Sequence, residues 1–141
     1  MHPAPYTRDN RFYFPLRIYY EDTDAAGVVY YANYLKFAER ARTEWLRSVG
    51  IEQDAMLRDE GLGFVVARAE IAYKKPARLD DIVWVECHLQ HLSKVRMSMR
   101  QSLRVGDVLC CELTVEIACV NRDFAPQRLN DRLHRIFAAM L

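Results

Sequence analysis

The sequence predicts an α+β domain, with one antiparallel sheet of about five strands packed against one long helix. Two observations carry this. Apolar residues recur every three or four positions between Ala32 and Val49, and mostly every second position from Phe64 to Val120. The strand-like segments after Phe64 are also joined by turns too short to hold a crossover helix, so neighbours run antiparallel.

The first strand is predicted by Phe12, Phe14, Leu16, Ile18 and Tyr20, an unbroken alternating row. Pro15 lies inside it. Proline has no N–H to give to a ladder, so this position is expected to face a bulge or a sheet edge. The stretch EDTDAAGVVYYANY then leads into the helix, which is expected over about Ala32 to Val49. Tyr34, Ala38, Ala41, Trp45 and Val49 form its apolar stripe, widened by Phe37 and Leu46. Glu39, Arg40, Thr43, Glu44 and Arg47 lie mostly on the other side. The small Ala38 and Ala41 permit close approach to a sheet. Gly50 is expected to stop the helix in a left-handed conformation, and a short second helix from about Glu52 to Glu60 ends near Gly61.

Phe64 to Tyr73 reads as the next strand, followed by a turn around Pro76. Ile82 to Gln90 follows, with Val83, Val85, Cys87 and Leu89 on one face. In the next strand Val95, Met97, Met99, Leu103 and Val105 alternate with Arg96, Ser98, Arg100, Ser102 and Arg104. Gln101 is the one polar residue on the apolar face. Gly106-Asp107 reads as a two-residue hairpin turn, and Val108 to Val120 as a long final strand. A helix from Asp131 to Leu141, capped by Asn130, closes the chain. The free edges of such a sheet tend to pair with another copy, so a dimer or larger assembly is expected.

The chain has 141 residues, which predicts a single domain over 1–141. Its 51% apolar and 28% charged residues exclude a disordered chain, a collagen-like chain and a small disulfide scaffold. Lys plus Arg is 20 and Asp plus Glu is 19, a net charge of +1. That balance gives no reason to expect nucleic-acid or anionic-membrane binding. Met1 to Arg11 holds no apolar run of leader length, and no stretch reaches the roughly 18 apolar residues of a membrane span. Cys87, Cys110, Cys111 and Cys119 form no C-x-x-C pair and all fall in strands. They read as buried free thiols in a reducing cytoplasm.

Chemistry concentrates between Glu21 and Tyr34. Glu21, Asp22 and Asp24 gather at the end of a strand, Gly27 follows, and a helix begins. The structural reading is a solvated turn in which Asp22 or Asp24 bonds the backbone ahead of it. An EF-hand fails on spacing: with Asp22 as the first position, the bidentate acid's place falls on Asn33. The chemical reading uses the helix start, whose free N–H groups and dipole can hold a carbonyl oxygen that turns negative during reaction. A carboxylate just upstream can attack that carbonyl or activate a water. Acyl-transfer hydrolysis needs those two parts.

Other chemistries fit less well. There is no G-x-S-x-G elbow, no Rossmann or P-loop glycine pattern, and so no nicotinamide or ATP site. His88 and His91 are spaced H-x-x-H, but strict alternation puts them on opposite faces of a strand, which argues against a metal pair. The row Arg96, Arg100 and Arg104 reads as a solvated sheet face that, with Lys94, can also meet phosphates.

The segment RIYYEDTDAAGVVYYANYLKFAERARTEWLRSVG, Arg17 to Gly50, closely resembles the signature of the 4-hydroxybenzoyl-CoA thioesterase family. Within it, the similarity is greatest to acyl-CoA thioesterases associated with the Tol–Pal system. FVVARAEIAYKKPARLDDIV, Phe64 to Val83, is similar to the same branch. The resemblance covers nearly the whole chain and weakens after about Asn121. It implies a hotdog fold, with the sheet wrapped around the long helix and copies joined edge to edge as homodimers or homotetramers. It also implies hydrolysis of acyl-CoA thioesters without metal or organic cofactor. An acyl carrier protein is an alternative acyl donor. Asp24 takes the catalytic position of the motif, and the Tyr31 amide takes that of the oxyanion donor. Gly27 supplies the turn between them, and Asn33 shapes the helix entry and pocket. Many Tol–Pal members carry His where Tyr31 stands, whereas an aromatic residue there is common in the 4-hydroxybenzoyl branch. A backbone donor survives that change, since every non-proline residue keeps its N–H. The CoA phosphates need cations, for which Lys75, Lys94 and Arg96 are candidates, from the same or a neighbouring subunit. Two other readings compete: a non-catalytic acyl-CoA or carrier-protein binding module, and a hydratase of the same fold. The hydratase needs a histidine beside its acid, and none lies near Asp24 in sequence.

Overall fold

The computed structural model describes residues 2–141; Met1, the first residue of the expected domain, lies outside them. The chain runs β1 (Tyr6–Arg8), β2 (Arg11–Arg17), a 3₁₀ turn (Tyr20–Asp22), α1 (Asn33–Ser48), α2 (Gln53–Glu60), β3 (Gly63–Tyr73), β4 (Ile82–Leu92), β5 (Arg96–Val105), β6 (Val108–Val120) and α3 (Asp131–Ala138). The six strands form one sheet in the order β1-β2-β4-β5-β6-β3, and every neighbouring pair is antiparallel.

The sheet has one strand more than the sequence predicts. β1 is only three residues long and exposed throughout, so no hydrophobic period marks it. It is folded back onto β2 by Asp9 and Asn10, both in the left-handed region at φ 52° and 60°, the backbone that a tight hairpin requires. The first predicted strand also ends early. β2 stops at Arg17, Ile18 is still fully buried, and Tyr20 is 83% exposed in the 3₁₀ turn. Pro15 pairs with Trp84 inside the β2–β4 ladder. Its carbonyl lies 3.3 Å from His2 Nε2, on the side away from β4, so the missing N–H faces the edge beyond β1 as expected.

The sheet curls around α1, the wrapped arrangement implied by the resemblance. Tyr34, Phe37, Ala38, Ala41, Trp45 and Leu46 are all buried on the helix. They meet Phe12, Leu16, Val83, Val85, Leu89, Met99, Leu113 and Val115 from the inner face of the sheet. Burial of each large apolar side chain contributes about 1.5–3 kcal/mol, so this contact dominates the stability. α1 ends at Gly50, φ +86°, where the Ile51 amide closes back on the Leu46 carbonyl at 2.9 Å. At that end α3 packs underneath. Asn130 caps it by accepting from the Leu133 amide at 2.9 Å, and Phe137 stacks on Trp45 with centroids 5.7 Å apart. The outer face of β5 and β6 carries ion pairs, Arg96–Glu116 at 3.7 Å and Arg100–Glu112 at 2.9 Å, as a solvated face should.

Two consequences of the topology matter below. β3 is an edge strand of eleven residues with an exposed centre, open on the side away from β6. The two ends of the sheet also differ: one holds the N-terminus of α1, the end of β3 and the start of β6. The other holds the C-terminus of α1, the start of β3 and the start of β5. No helix among the described residues is long and apolar enough to cross a membrane.

Candidate active site

The acidic segment forms a compact double turn. Thr23 bridges Val29 in antiparallel fashion, the Asp24 amide donates to the Val28 carbonyl at 2.9 Å, and the Tyr30 amide donates to the Asp22 carbonyl at 3.0 Å. The reversal between these two short arms needs Gly27, which sits at φ +79°. Few other residues adopt that backbone readily. Asp22 is held in this framework, its Oδ2 accepting from the Tyr19 amide at 2.8 Å. Asp24 Oδ1 accepts from the Ala26 amide at 2.9 Å, while its other carboxylate oxygen bonds nothing among the described residues. The turn role anticipated for one of these aspartates is present at Asp24, whose bond runs to the backbone ahead of it, whereas Asp22 bonds back to Tyr19; at Asp24 one oxygen is left over in an exposed position.

Asn33 joins this turn to the helix. Its Nδ2 donates to the Asp22 carbonyl at 2.9 Å, the same oxygen that the Tyr30 amide uses. The amides of Asn33, Tyr34 and Leu35 are engaged by the carbonyls of Tyr30, Tyr31 and Ala32. The amides of Tyr31 and Ala32 donate to no acceptor among the described residues. They sit at the positive end of the α1 dipole, where free N–H groups attract negative charge. The ladder offsets Asp24 from Asp22 by two residues, or about 7 Å along the chain.

Beside Tyr31 opens a pocket of about 220 Å³, walled by Val29, Tyr31, Tyr34, Tyr73 and Cys110 and edged by Lys74 and Lys75. Tyr73 stands edge-on to Tyr31, with centroids 5.8 Å apart at 90°. The buried Tyr34 hydroxyl accepts from the Ala77 amide at 3.0 Å and anchors the pocket floor. Burial holds this phenol above its ordinary pKa, so it stays protonated at neutral pH.

Of the predicted residues, Tyr31 and Lys75 line this pocket together with Lys74, which sequence reasoning did not select although it precedes Lys75 in the same turn; Asp24, Gly27 and Asn33 belong to the turn that leads into α1 and do not line it. Lys94 and Arg96 are elsewhere. Arg96 pairs through Ala118 with Val65, eight positions along β3 from Tyr73, or about 26 Å at about 3.3 Å per residue. Within one chain they do not reach the Tyr31 pocket.

The histidine reading needs correction. A bulge between Leu89 and His91 inserts Gln90 into β4, so His88 faces Arg100 and His91 faces Ser98. Both imidazoles therefore lie on the outer face rather than on opposite faces. No group of three or more metal-ligating side chains occurs among the described residues. Other large aromatic residues lie away from this pocket: Phe37 is fully buried in the core, and Trp84 stands on the outer face against Tyr6. Phe64 packs edge-on to Phe137 at the far end of the helix. The four cysteines are free and buried as expected, and burial pushes the thiols of Cys87 and Cys111 up to about 12.

A family model described as "Thioesterase superfamily" matches residues 26–112, beginning two residues after Asp24. The acyl-CoA thioesterase YbgC of Haemophilus influenzae is 44% identical over 113 residues, covering 80% of this chain and 83% of that protein. The acyl-CoA thioester hydrolase YbgC of Escherichia coli O157:H7 is 40% identical over 111 residues, 78% of this chain and 82% of its own length. A crystal structure of a probable thioesterase from Bartonella henselae superposes with a TM-score of 0.80 at 38% identity, covering 83% of this chain and 97% of that one.

Proposed function

The chain belongs to the thioesterase superfamily and is a thioester hydrolase; on that premise we propose that it cleaves acyl-CoA thioesters with Asp24 and the Tyr31 amide as its catalytic groups. The observation that carries this reading is the unengaged Tyr31 amide at the start of α1, close in the chain to a carboxylate with one free oxygen. The thioester carbonyl docks on the amide, and the pocket of Tyr31, Tyr34 and Tyr73 receives the group beside it. As the carbonyl carbon becomes tetrahedral, charge gathers on its oxygen, where the N–H and the helix dipole stabilise it.

Two routes satisfy this geometry. Asp24 attacks the carbonyl carbon, CoA leaves as a thiolate, and water opens the mixed anhydride to the free acid. Alternatively, Asp24 takes a proton from a water that attacks directly, and the same acid and thiol result. In either route the net reaction consumes one water.

The proposal extends to assembly. The open β3 edge pairs with a second copy, and the 26 Å between Lys94 or Arg96 and the pocket is spanned between subunits, so that these cations meet the CoA phosphates together with Lys75. The test is CoA release from a panel of aliphatic and aromatic acyl-CoAs, followed by chromatography, with wild type and Asp24→Asn in parallel. Turnover is expected to fall at least about a hundredfold in the variant while acyl-CoA binding persists. Unchanged turnover removes Asp24 from the mechanism.

A further inference from the structure

The turn that carries Lys74, Lys75 and Pro76 between β3 and β4 is pinned at both ends by distant parts of the chain. At its entry the amides of Lys74 and Lys75 both donate to the Cys110 carbonyl, at 2.8 and 3.2 Å. Cys110 can receive them because it is the extra residue of a bulge in β6. Leu103 pairs with Cys111 and Arg104 with Leu109, so Cys110 has no partner in β5. At the exit stands Ala77, fully buried, beyond the end of β3 and before the start of β4. Its amide has no strand to bond to, and a buried amide left unpaired is costly. The Tyr34 hydroxyl, 43 residues away on α1, accepts from it at 3.0 Å. The Ala77 carbonyl accepts from the Val29 amide at 2.9 Å, and Val28 bridges Arg78. Ala77 is thus tied both to the first turn of α1 and to the arm that returns from Asp24.

The Tyr34 hydroxyl makes no other hydrogen bond among the described residues. Its ring packs edge-on to Phe37, centroids 6.0 Å apart, and tilts against Tyr73 at 5.9 Å. A phenylalanine would fill the same space, so what the oxygen adds at this buried position is the bond to Ala77. The turn held in this way presents two adjacent, exposed lysines, and neither forms an ion pair with a carboxylate among the described residues. Two free cations on a fixed turn suit a multiply charged anion, because little ordering remains to be done when it binds.

We infer that Tyr34 is a positioning residue for phosphate recognition: its hydroxyl, acting through the Ala77 amide, holds the Lys74–Lys75 turn where it meets the phosphates of coenzyme A. The identity of that ligand rests on the proposed function; the pinning of the turn does not.

The test is calorimetric titration of the full chain with coenzyme A, and with pantetheine, which shares its thiol arm and carries no phosphate. Wild type is expected to bind coenzyme A at least about tenfold tighter than pantetheine. Tyr34→Phe keeps the ring and removes the oxygen. It should weaken coenzyme A binding about fivefold or more and leave pantetheine binding unchanged. Lys75→Gln should show the same pattern, and in the Tyr34→Phe background it should cost less than about twofold more, since a lysine on a released turn has little left to lose. Where pantetheine binds too weakly to titrate, this double-mutant cycle carries the test. If Tyr34→Phe does not fold, Pro76→Gly, which loosens the same turn without touching the core, replaces it with the same expectations. Failure of wild type to bind coenzyme A at millimolar concentration, or equal affinity for the two ligands, overturns the inference. So does coenzyme A binding within about twofold of wild type in the tyrosine or proline variant, or an additive cycle. Equal losses on both ligands reduce Tyr34 to packing and overturn it too. CoA release from acyl-CoA on the same preparations separates the two readings. The coupled pattern without hydrolysis refutes the proposed function and leaves the role of Tyr34 standing, while hydrolysis without the pattern does the reverse.

Discussion

Asp24 and Tyr31 show how much a single residue's role depends on what its atoms leave unused. Asp24 commits one oxygen to the Ala26 amide, and Tyr31 leaves its amide open. The proposed role of Tyr31 lies in the backbone, so Tyr31→Phe and Tyr31→His should hold kcat within a few-fold. Loss of one oxyanion donor typically costs about 2.7–4 kcal/mol of barrier, roughly a hundred- to a thousandfold in rate. A drop of that size in Tyr31→Phe would shift the role from the amide to the phenol. Gln101 is the opposite case, a buried residue with every polar atom occupied. Gln101→Leu strands the Arg42 guanidinium in a half-dry site and should cost about 1–3 kcal/mol, read as a lower urea midpoint with unchanged slope. The turn that holds Asp24, Gly27 and Asn33 ahead of Tyr31 was legible in the sequence because it is local, its partners lying within a dozen residues. Arg42 was not, since helical periodicity says which side of α1 it occupies and nothing about what stands opposite. Gln101 was visible as an exception on an apolar face, but its link to Arg42 spans 59 residues.

At the scale of elements, the period of the sequence found α1, β3, β4, β5 and β6 to within a few residues of their ends. α1, β4, β5 and β6 each bury one face, and burial is what writes a period into a sequence; β3, exposed along its centre, shows the weakest one. β1 buries nothing and left no such mark. The bulge at Gln90 was invisible for a related reason, because an extra residue changes which side chains share a face without changing composition. The turn between Asp24 and Val28 is the element on which the site depends. Nothing lies within 4 Å of where a Gly27 Cβ would stand, so Gly27→Ala meets no clash, only the cost of φ +79°. That cost is about 1–2 kcal/mol. The thermal midpoint should fall modestly, and on the proposed mechanism turnover should fall further as the turn that holds Asp24 shifts. Equal losses in stability and activity would mean that the turn supports the fold alone.

At the scale of the whole molecule, the distribution of cations along the sheet makes a quantitative demand. With Lys94 and Arg96 about 26 Å from the pocket in one chain, a phosphate role for them requires a second copy. Light scattering should then give two or four times the 16.5 kDa of the chain. Arg96→Gln should raise KM for acyl-CoA several-fold while leaving the same acyl group on N-acetylcysteamine, which has no phosphates, unaffected. A monomer at assay concentration, or equal effects on both substrates, would take these cations out of the site. The spacing of charges could be counted in the sequence, but not the end of the sheet on which each falls, which follows from strand order. The burial of all four thiols, with Cys87 and Cys111 held near 12, has a practical corollary. Disulfide dyes react with thiolates that they can reach. The folded enzyme should stay colourless toward such a dye at pH 8, so the yellow that grows during turnover reports liberated coenzyme alone, and a burst from the protein itself is an alarm for denaturation.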